Sequence, residues 1–148
     1  MGHGVMDNKY MQLAIELAKK AGKKGDVPVG AVIVQKGKVL SKAYNQKNAR
    51  NNPTCHAEML AINKACKKVK NFRLENCEIY VTKEPCVMCL GAILSARIDR
   101  LYYGAKDKKY SNLDNIRFNH YCEYVYVENE ECASMLSNFF KKRRKKAE

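Results

Sequence analysis

Two short segments limit what this chain can fold into: Cys55-His56-Ala57-Glu58 and Pro85-Cys86-Val87-Met88-Cys89. Cys86 and Cys89 are three apart, so on a helix they share one face. Pro85 suits the first turn of that helix. Free N–H groups and the helix dipole favour negative charge there. Thiolates are stabilised in such a place, and the thiolate is the form that binds zinc. Alone, the pair reads equally as a redox couple or as half of a structural zinc site. His56 changes that reading, because His56, Cys86 and Cys89 make three protein ligands. A catalytic zinc takes three and keeps its fourth position for water, whereas a structural zinc is closed by four. Any fold this chain adopts has to bring two separate helix starts to one point.

A fourth ligand is hard to find. Cys55 is nearest in sequence, but around a helix its side chain should diverge from that of His56 by about 100°. Cys66, Cys77, Cys122 and Cys132 have no ligand-like spacing and read as buried small hydrophobes. His3 and His120 are poorer candidates. Glu58, two residues after His56, falls beside the ligand and off the metal. A carboxylate there can take a proton from zinc-activated water and deliver it to a leaving amine. Away from such a cluster it would read as a solvated helix glutamate.

The hydrophobic pattern supplies the frame. Tyr10, Leu13, Ala14, Leu17, Ala18 and Ala21 recur at helical spacing, and Gly22 can end that helix. Val29 to Val34 is almost continuously apolar and reads as a buried strand. Lys36-Gly37 makes a turn, with Val39 to Tyr44 as the hairpin partner. Asn45 to Pro53 reads as a loop. Thr54 can cap a helix to about Lys68, with Met59, Ile62 and Ala65 inward. Glu78 to Thr82 and Arg100 to Tyr103 read as strands on either side of a helix from Pro85 to about Ala96. A polar stretch from Lys106 to about His120 precedes a last strand, Glu123 to Val127. The last helix starts near Asn129, with Cys132, Met135, Leu136, Phe139 and Phe140 facing in. This order predicts an α/β fold of three layers, helices covering both faces of a mixed sheet.

The 148 residues read as one domain, 1–148, with 1–5 as a remnant ahead of it and 141–148 as a basic tail. No stretch approaches the roughly 18 to 20 apolar residues that span a membrane, and the first ten residues lack the build of a secretion signal. Seven cysteines, an odd number, argue against a disulfide framework and for reduced thiols in the cytoplasm. The net charge of +13 attracts polyanions, nucleic acid first among them; the alternative is a solubilising lysine-rich surface.

H-x-E followed by P-C-x-x-C is the signature of zinc nucleobase deaminases, matched here rather than derived. The chain further resembles the bacterial tRNA adenosine deaminase family, which converts the wobble adenosine of an arginine tRNA anticodon to inosine. The matching segments are Val27-Pro-Val-Gly-Ala-Val-Ile-Val34, Asn52-Pro-Thr-Cys-His-Ala-Glu58, Glu84-Pro-Cys-Val-Met-Cys89, Gly91-Ala92 with Ser95-Ala-Arg97, Tyr103-Gly-Ala-Lys-Asp107, and Leu136-Ser-Asn-Phe-Phe140 with its basic tail. The resemblance implies a cytidine-deaminase-like three-layer α-β-α sandwich with a mixed five-stranded sheet. It implies a homodimer, one zinc per subunit, and a tRNA anticodon stem-loop as partner. His56, Cys86 and Cys89 fall on the zinc positions and Glu58 on the proton shuttle. Asn45 matches a residue that contacts the substrate nucleotide, though on its own it reads as an ordinary turn asparagine. Val29 and Ala57 match positions near the base pocket, and Asp107 one near the flanking nucleotides. Lys106, Lys108 and Lys109 fall where the family contacts RNA, and Arg143 and Arg144 could meet phosphates.

One segment departs from the family pattern. Between Asp107 and His120 the family usually carries a longer, glycine-containing loop. Here the connection is shorter and reads Lys-Lys-Tyr-Ser-Asn-Leu-Asp-Asn-Ile-Arg-Phe-Asn. Tyr110 and Phe118 in it read as packing residues, with base stacking as the alternative. Two other functions fit parts of the pattern. A deaminase of a free base or nucleoside, such as cytosine or guanine, shares the zinc motifs but needs no such charge. A non-catalytic zinc-stabilised RNA-binding module needs neither Glu58 nor an open metal position.

Overall fold

The computed structural model describes residues 8–147. The leading segment 1–5, with His3, lies outside them. Ten elements follow in order: α1 (Asn8–Lys23), β1 (Gly30–Gln35), β2 (Lys38–Tyr44), α2 (Lys47–Arg50), α3 (Ala57–Val69), β3 (Cys77–Val81), α4 (Val87–Ser95), β4 (Arg100–Tyr103), β5 (Glu123–Tyr126) and α5 (Glu130–Ala147). The strands form one sheet in the order β2-β1-β3-β4-β5. β1 is antiparallel to both β2 and β3, while β3, β4 and β5 run parallel. The expected mixed sheet is therefore present.

The continuous apolar run in β1 has the consequence anticipated for it. Gly30 to Val34 are all buried, which requires cover on both faces of the sheet. α1 packs on β1 and touches α5; α3 packs on β1 and β2 and touches α4. These are the two outer layers. At the β1–β2 turn, Lys36 and Gly37 have φ of 48° and 77°, the two left-handed residues of a hairpin turn whose twist matches the strands. The parallel strands need a crossover, and α4 supplies it between β3 and β4. Across β3, β4 and β5, Glu78, Arg100 and Glu123 stand opposite one another. Arg100 bonds both carboxylates, stitching the three strands at their start.

Four details depart from the expected pattern. The stretch Asn45 to Pro53 contains the short helix α2, closed by Asn51 at φ 50°. Phe140 is exposed, since α5 buries Cys132 and Leu136 and keeps Met135 and Phe139 only half-buried. Met59 is likewise half-buried. Tyr110 and Phe118, expected to pack, are 74% and 45% exposed.

Gly30 sets how closely α1 approaches the sheet. A Cβ there would lie 2.0 Å from the Ala14 carbonyl oxygen and 2.8 Å from the Ala18 nitrogen. Ala14, Ala18 and Ala21 complete the close contact, each fully buried. These neighbours are helix backbone and cannot swing aside. Gly30→Ala should therefore cost at least about 3 kcal/mol, the upper range for overpacking. Urea unfolding should show it as a lowered midpoint, and an unchanged midpoint would refute the close approach.

Candidate active site and metal centre

α3 and α4 touch each other, and their N-termini place the two sequence motifs together. His56 is the N-cap of α3 and Cys86 the N-cap of α4, both in extended conformation. Thr54 is not the cap: its N–H and hydroxyl both bond the Asn52 side-chain oxygen instead. Pro85 likewise precedes the helix and does not sit in its first turn. Neither cap side chain bonds its own helix. They face each other, with His56 Nδ1 3.7 Å from Cys86 Sγ. Cys89, fully buried one turn into α4, completes a triangle whose three donor atoms lie within 4.8 Å of one another.

The triangle fits a tetrahedral zinc. Bond lengths of about 2.3 Å to sulfur and about 2.0–2.1 Å to nitrogen put N and S on such an ion roughly 3.6 Å apart. Two thiolates and an imidazole are also the donor set zinc prefers. Among the described residues no other such cluster is found. Cys55 stays out of it as expected, but for a different reason. It precedes α3 rather than sharing a helix with His56, and it is buried in the core. The His120 Nε2 is engaged with the Ile98 carbonyl at 2.9 Å. Cys77, Cys122 and Cys132 are buried, and burial pushes each thiol well above its ordinary range. Cys66 is only half-buried.

The electrostatics single out the same group. Cys86 is pushed far down, first by the hydrogen bond from Cys89, with His56 adding to it. Cys89 is pushed up by that same bond and by burial. The imidazole beside them is made more basic by its contact with Cys86. Glu58 is 3% exposed, and burial raises its pKa. Its Oε1 is buried without a hydrogen-bond partner. A buried carboxylate oxygen costs free energy when unpaired, so this atom marks a place built for a partner.

Asn45 is no ordinary turn residue. It is buried, and its side-chain oxygen accepts the Ala57 N–H at 2.7 Å, between His56 and Glu58. Its own N–H bonds the Val29 carbonyl, and the next N–H, of Gln46, bonds the Cys55 carbonyl. Val29 and Ala57 are buried beside it. Asp26 was not singled out by the sequence reading, yet its buried carboxylate accepts the N–H groups of Val27 and Asn48 and so fixes α2. Only its position before Val27-Pro28 could have flagged it.

The expected RNA set is split in two. Lys106, Lys108 and Lys109 are exposed around Asp107, just after β4. Arg143 lies farther off on α5, over Phe139, and donates to the Gly25 carbonyl; Arg144 is exposed beside it. Asp107 is tied to the loop that precedes Cys86. Its N–H bonds Glu84 Oε1, and its carboxylate meets Lys83 Nζ at 3.1 Å.

A family model for MafB19-like deaminases matches residues 5–144. The tRNA-specific adenosine deaminase of Bacillus subtilis is 45% identical over 148 residues, covering 95% of this chain and 92% of that protein. The chain belongs to the tRNA-specific adenosine deaminase family. A solved structure from a study of A-to-I editing by tRNA:A34 deaminases at the wobble position of transfer RNA is 36% identical, with a TM-score of 0.80. It covers 88% of this chain and 100% of that one. Guanine deaminase from Bacillus subtilis is 31% identical with a TM-score of 0.67, over 95% of each chain. The fold is thus the cytidine-deaminase-like α/β architecture, and as a family member the chain is an enzyme.

Asp107 offers a test of how this family site is braced. Burial raises its pKa, but bonds from the Tyr110 and Lys109 N–H groups and the Lys83 ammonium outweigh that and lower it from 3.8. A depressed folded pKa stabilises the protein above the unfolded value and loses that stabilisation as pH falls through the folded value. Asp107→Asn should therefore cost about 1 kcal/mol at neutral pH. The gap in urea midpoints should hold down to about pH 4 and close below 3.8. A gap that widens on acidification would contradict this bracing.

Proposed function

We propose that this chain deaminates adenosine to inosine at the wobble position of a tRNA anticodon, most simply that of an arginine tRNA, consuming water and releasing ammonia. The observation that carries it is the buried Glu58 carboxylate, its Oε1 without a hydrogen-bond partner, beside the His56–Cys86–Cys89 triangle. Family membership and the names of the relatives support the substrate. His56 Nδ1 and the sulfurs of Cys86 and Cys89 would hold one zinc per subunit. When bound, zinc supplies a Lewis acid that makes water a nucleophile near neutral pH. Glu58 would carry both protons of the water: its carboxylate accepts one as water attacks the base and gives it to a ring nitrogen, then takes the second from the new hydroxyl and gives it to the amine, which departs as ammonia. Burial raises the Glu58 pKa, in the direction that suits a group that must both take and give a proton.

Asn45 has its oxygen committed to Ala57, which leaves its amide N–H groups to donate to the substrate nucleotide. Val29 and Ala57 would wall the base pocket. Asp107, Lys106, Lys108, Lys109, Arg143 and Arg144 would meet the RNA, the last two beside the phosphates of the stem. The enzyme would work in the cytoplasm as a homodimer, the whole chain forming one deaminase domain. No helix among the described residues is long and apolar enough to cross a membrane. Deamination of free guanine is the second reading, favoured by the 31% identical guanine deaminase. The net charge of +13 weighs against it, because a small neutral substrate gains nothing from such a field. An RNA-binding module without catalysis has no use for a buried Glu58.

Inosine appearing at the wobble position of an arginine tRNA anticodon stem-loop is the direct test. Glu58→Ala should keep its zinc and lose at least about 100-fold in turnover. Cys86→Ser should lose both metal and turnover. No inosine from zinc-loaded protein, with ammonia released from free guanine, would overturn the tRNA reading.

A further inference from the structure

The segment between β4 and β5 leaves a concavity of about 950 Å³ against the sheet, lined in part by Tyr103, Lys106, Arg117, Phe118, Tyr121 and Tyr124. That is the upper size of a ligand pocket and large for one base. Two of its aromatic side chains are turned to solvent, Phe118 at 45% and Tyr121 at 81% exposed. Exposed aromatics together in one hollow are unusual on a surface and mark a binding face. Phe118 is held in place by the Arg97 guanidinium 5.2 Å from its ring, and Arg97 is itself fixed by Asn119. Tyr110, 74% exposed, stands just outside between the lysines and Ser111.

The charge here selects the partner. Lys106 and Arg117 line the hollow and are exposed, and Lys108 and Lys109 flank it. Most of the acidic side chains that line it already have a partner. Asp107 is bonded by Lys83 and two N–H groups, Glu123, with its side chain 44% exposed, by Arg100, and Glu84 is buried. Asp114 is exposed. One lining residue ties the hollow to the neighbourhood of the site: Glu84 stands two residues before Cys86, and its N–H bonds the Ala105 carbonyl.

We propose that this hollow is a stacking surface for unpaired nucleotides next to the edited one, with bases on Phe118 and Tyr121 and phosphates on Lys106 and Arg117. This rests on the tRNA reading and deepens it. Basic side chains interleaved with exposed rings are the general means of holding single-stranded RNA. Stacking accepts every base, so the surface would add affinity without selecting sequence.

The test uses the zinc-loaded Glu58→Ala protein, so that RNA binds without turnover, and a fluorescein-labelled anticodon stem-loop read by anisotropy. Phe118→Ala and Tyr121→Ala, both at exposed positions, should each weaken binding about tenfold and together about 100-fold. Phe118→Tyr should restore it. On a stem-loop made abasic on both sides of the wobble adenosine, the same substitutions should cost nothing further. Unchanged affinity, or equal losses on intact and abasic RNA, would overturn the proposal. Sedimentation is the second readout. A protomer exchange that appears only in the variants would assign the hollow to a second copy of this chain and overturn it too. A parent protein that binds no stem-loop would sink the tRNA reading along with this one, whereas bound parent and unaffected variants would sink this one alone.

Discussion

The meeting of two helix N-termini is the constraint on which the site depends. α3 and α4 both start with a residue that does not cap them, His56 and Cys86. Serine, threonine, aspartate or asparagine at either place would satisfy free N–H groups, and forgoing such a cap costs about 1 kcal/mol per helix. The loss is offset only if the two side chains gain a common partner. Their 3.7 Å approach and the nearby Cys89 supply the place for one. The dipoles of both helices then point their positive ends at a cluster that carries thiolate charge. A fold that left α3 and α4 apart would have two poorly capped helices and three idle ligands.

The sheet makes this meeting stable. β1 is buried on both faces, so α1 and α3 must lie on opposite sides of it. α4 then falls beside α3 because β3 and β4 are parallel and their crossover has to cover one face. Asn45 closes the arrangement by joining the end of β2 to the start of α3 through the Ala57 N–H. Asp26 holds the next stretch, α2, from the other side. The Asn45 and Asp26 side chains are thereby fixed to backbone, the condition for geometry accurate enough for catalysis.

Much of this could be read from residues. The continuous run from Val29 to Val34, the Lys36-Gly37 turn and the 3.6-residue period of α1 each follow from one local rule, and each holds. The metal triangle was legible because its donors are rare residue types with fixed spacing. Where the reading failed, a contact outside the expected pattern had won. Thr54 is a good cap by type, but Asn52 captures it and the helix starts later. Phe140 keeps the helical period, yet α5 leaves the sheet before reaching it, as its exposed neighbours Lys141 to Lys145 show. Asp26 and Glu84 look like surface acids in sequence; only the tertiary structure turns them inward.

Those inward acids bear on recognition as well as on folding. Asp26, Glu58 and Glu84 are all buried, and each is placed against backbone or the metal triangle rather than solvent. The side chains exposed just after β4 are instead lysines, Lys106, Lys108 and Lys109. Field lines leaving through water favour a polyanion over a neutral base at any distance within a Debye length, about 8 Å at physiological salt. Buried carboxylates and exposed lysines next to the active site therefore do two things at once. On the proposed mechanism the carboxylates would give the site a proton carrier and rigid struts, and the lysines exposed after β4 would leave its mouth basic. A deaminase for free bases would need only the first of these, and the second is the physical reason to look for the substrate among nucleic acids.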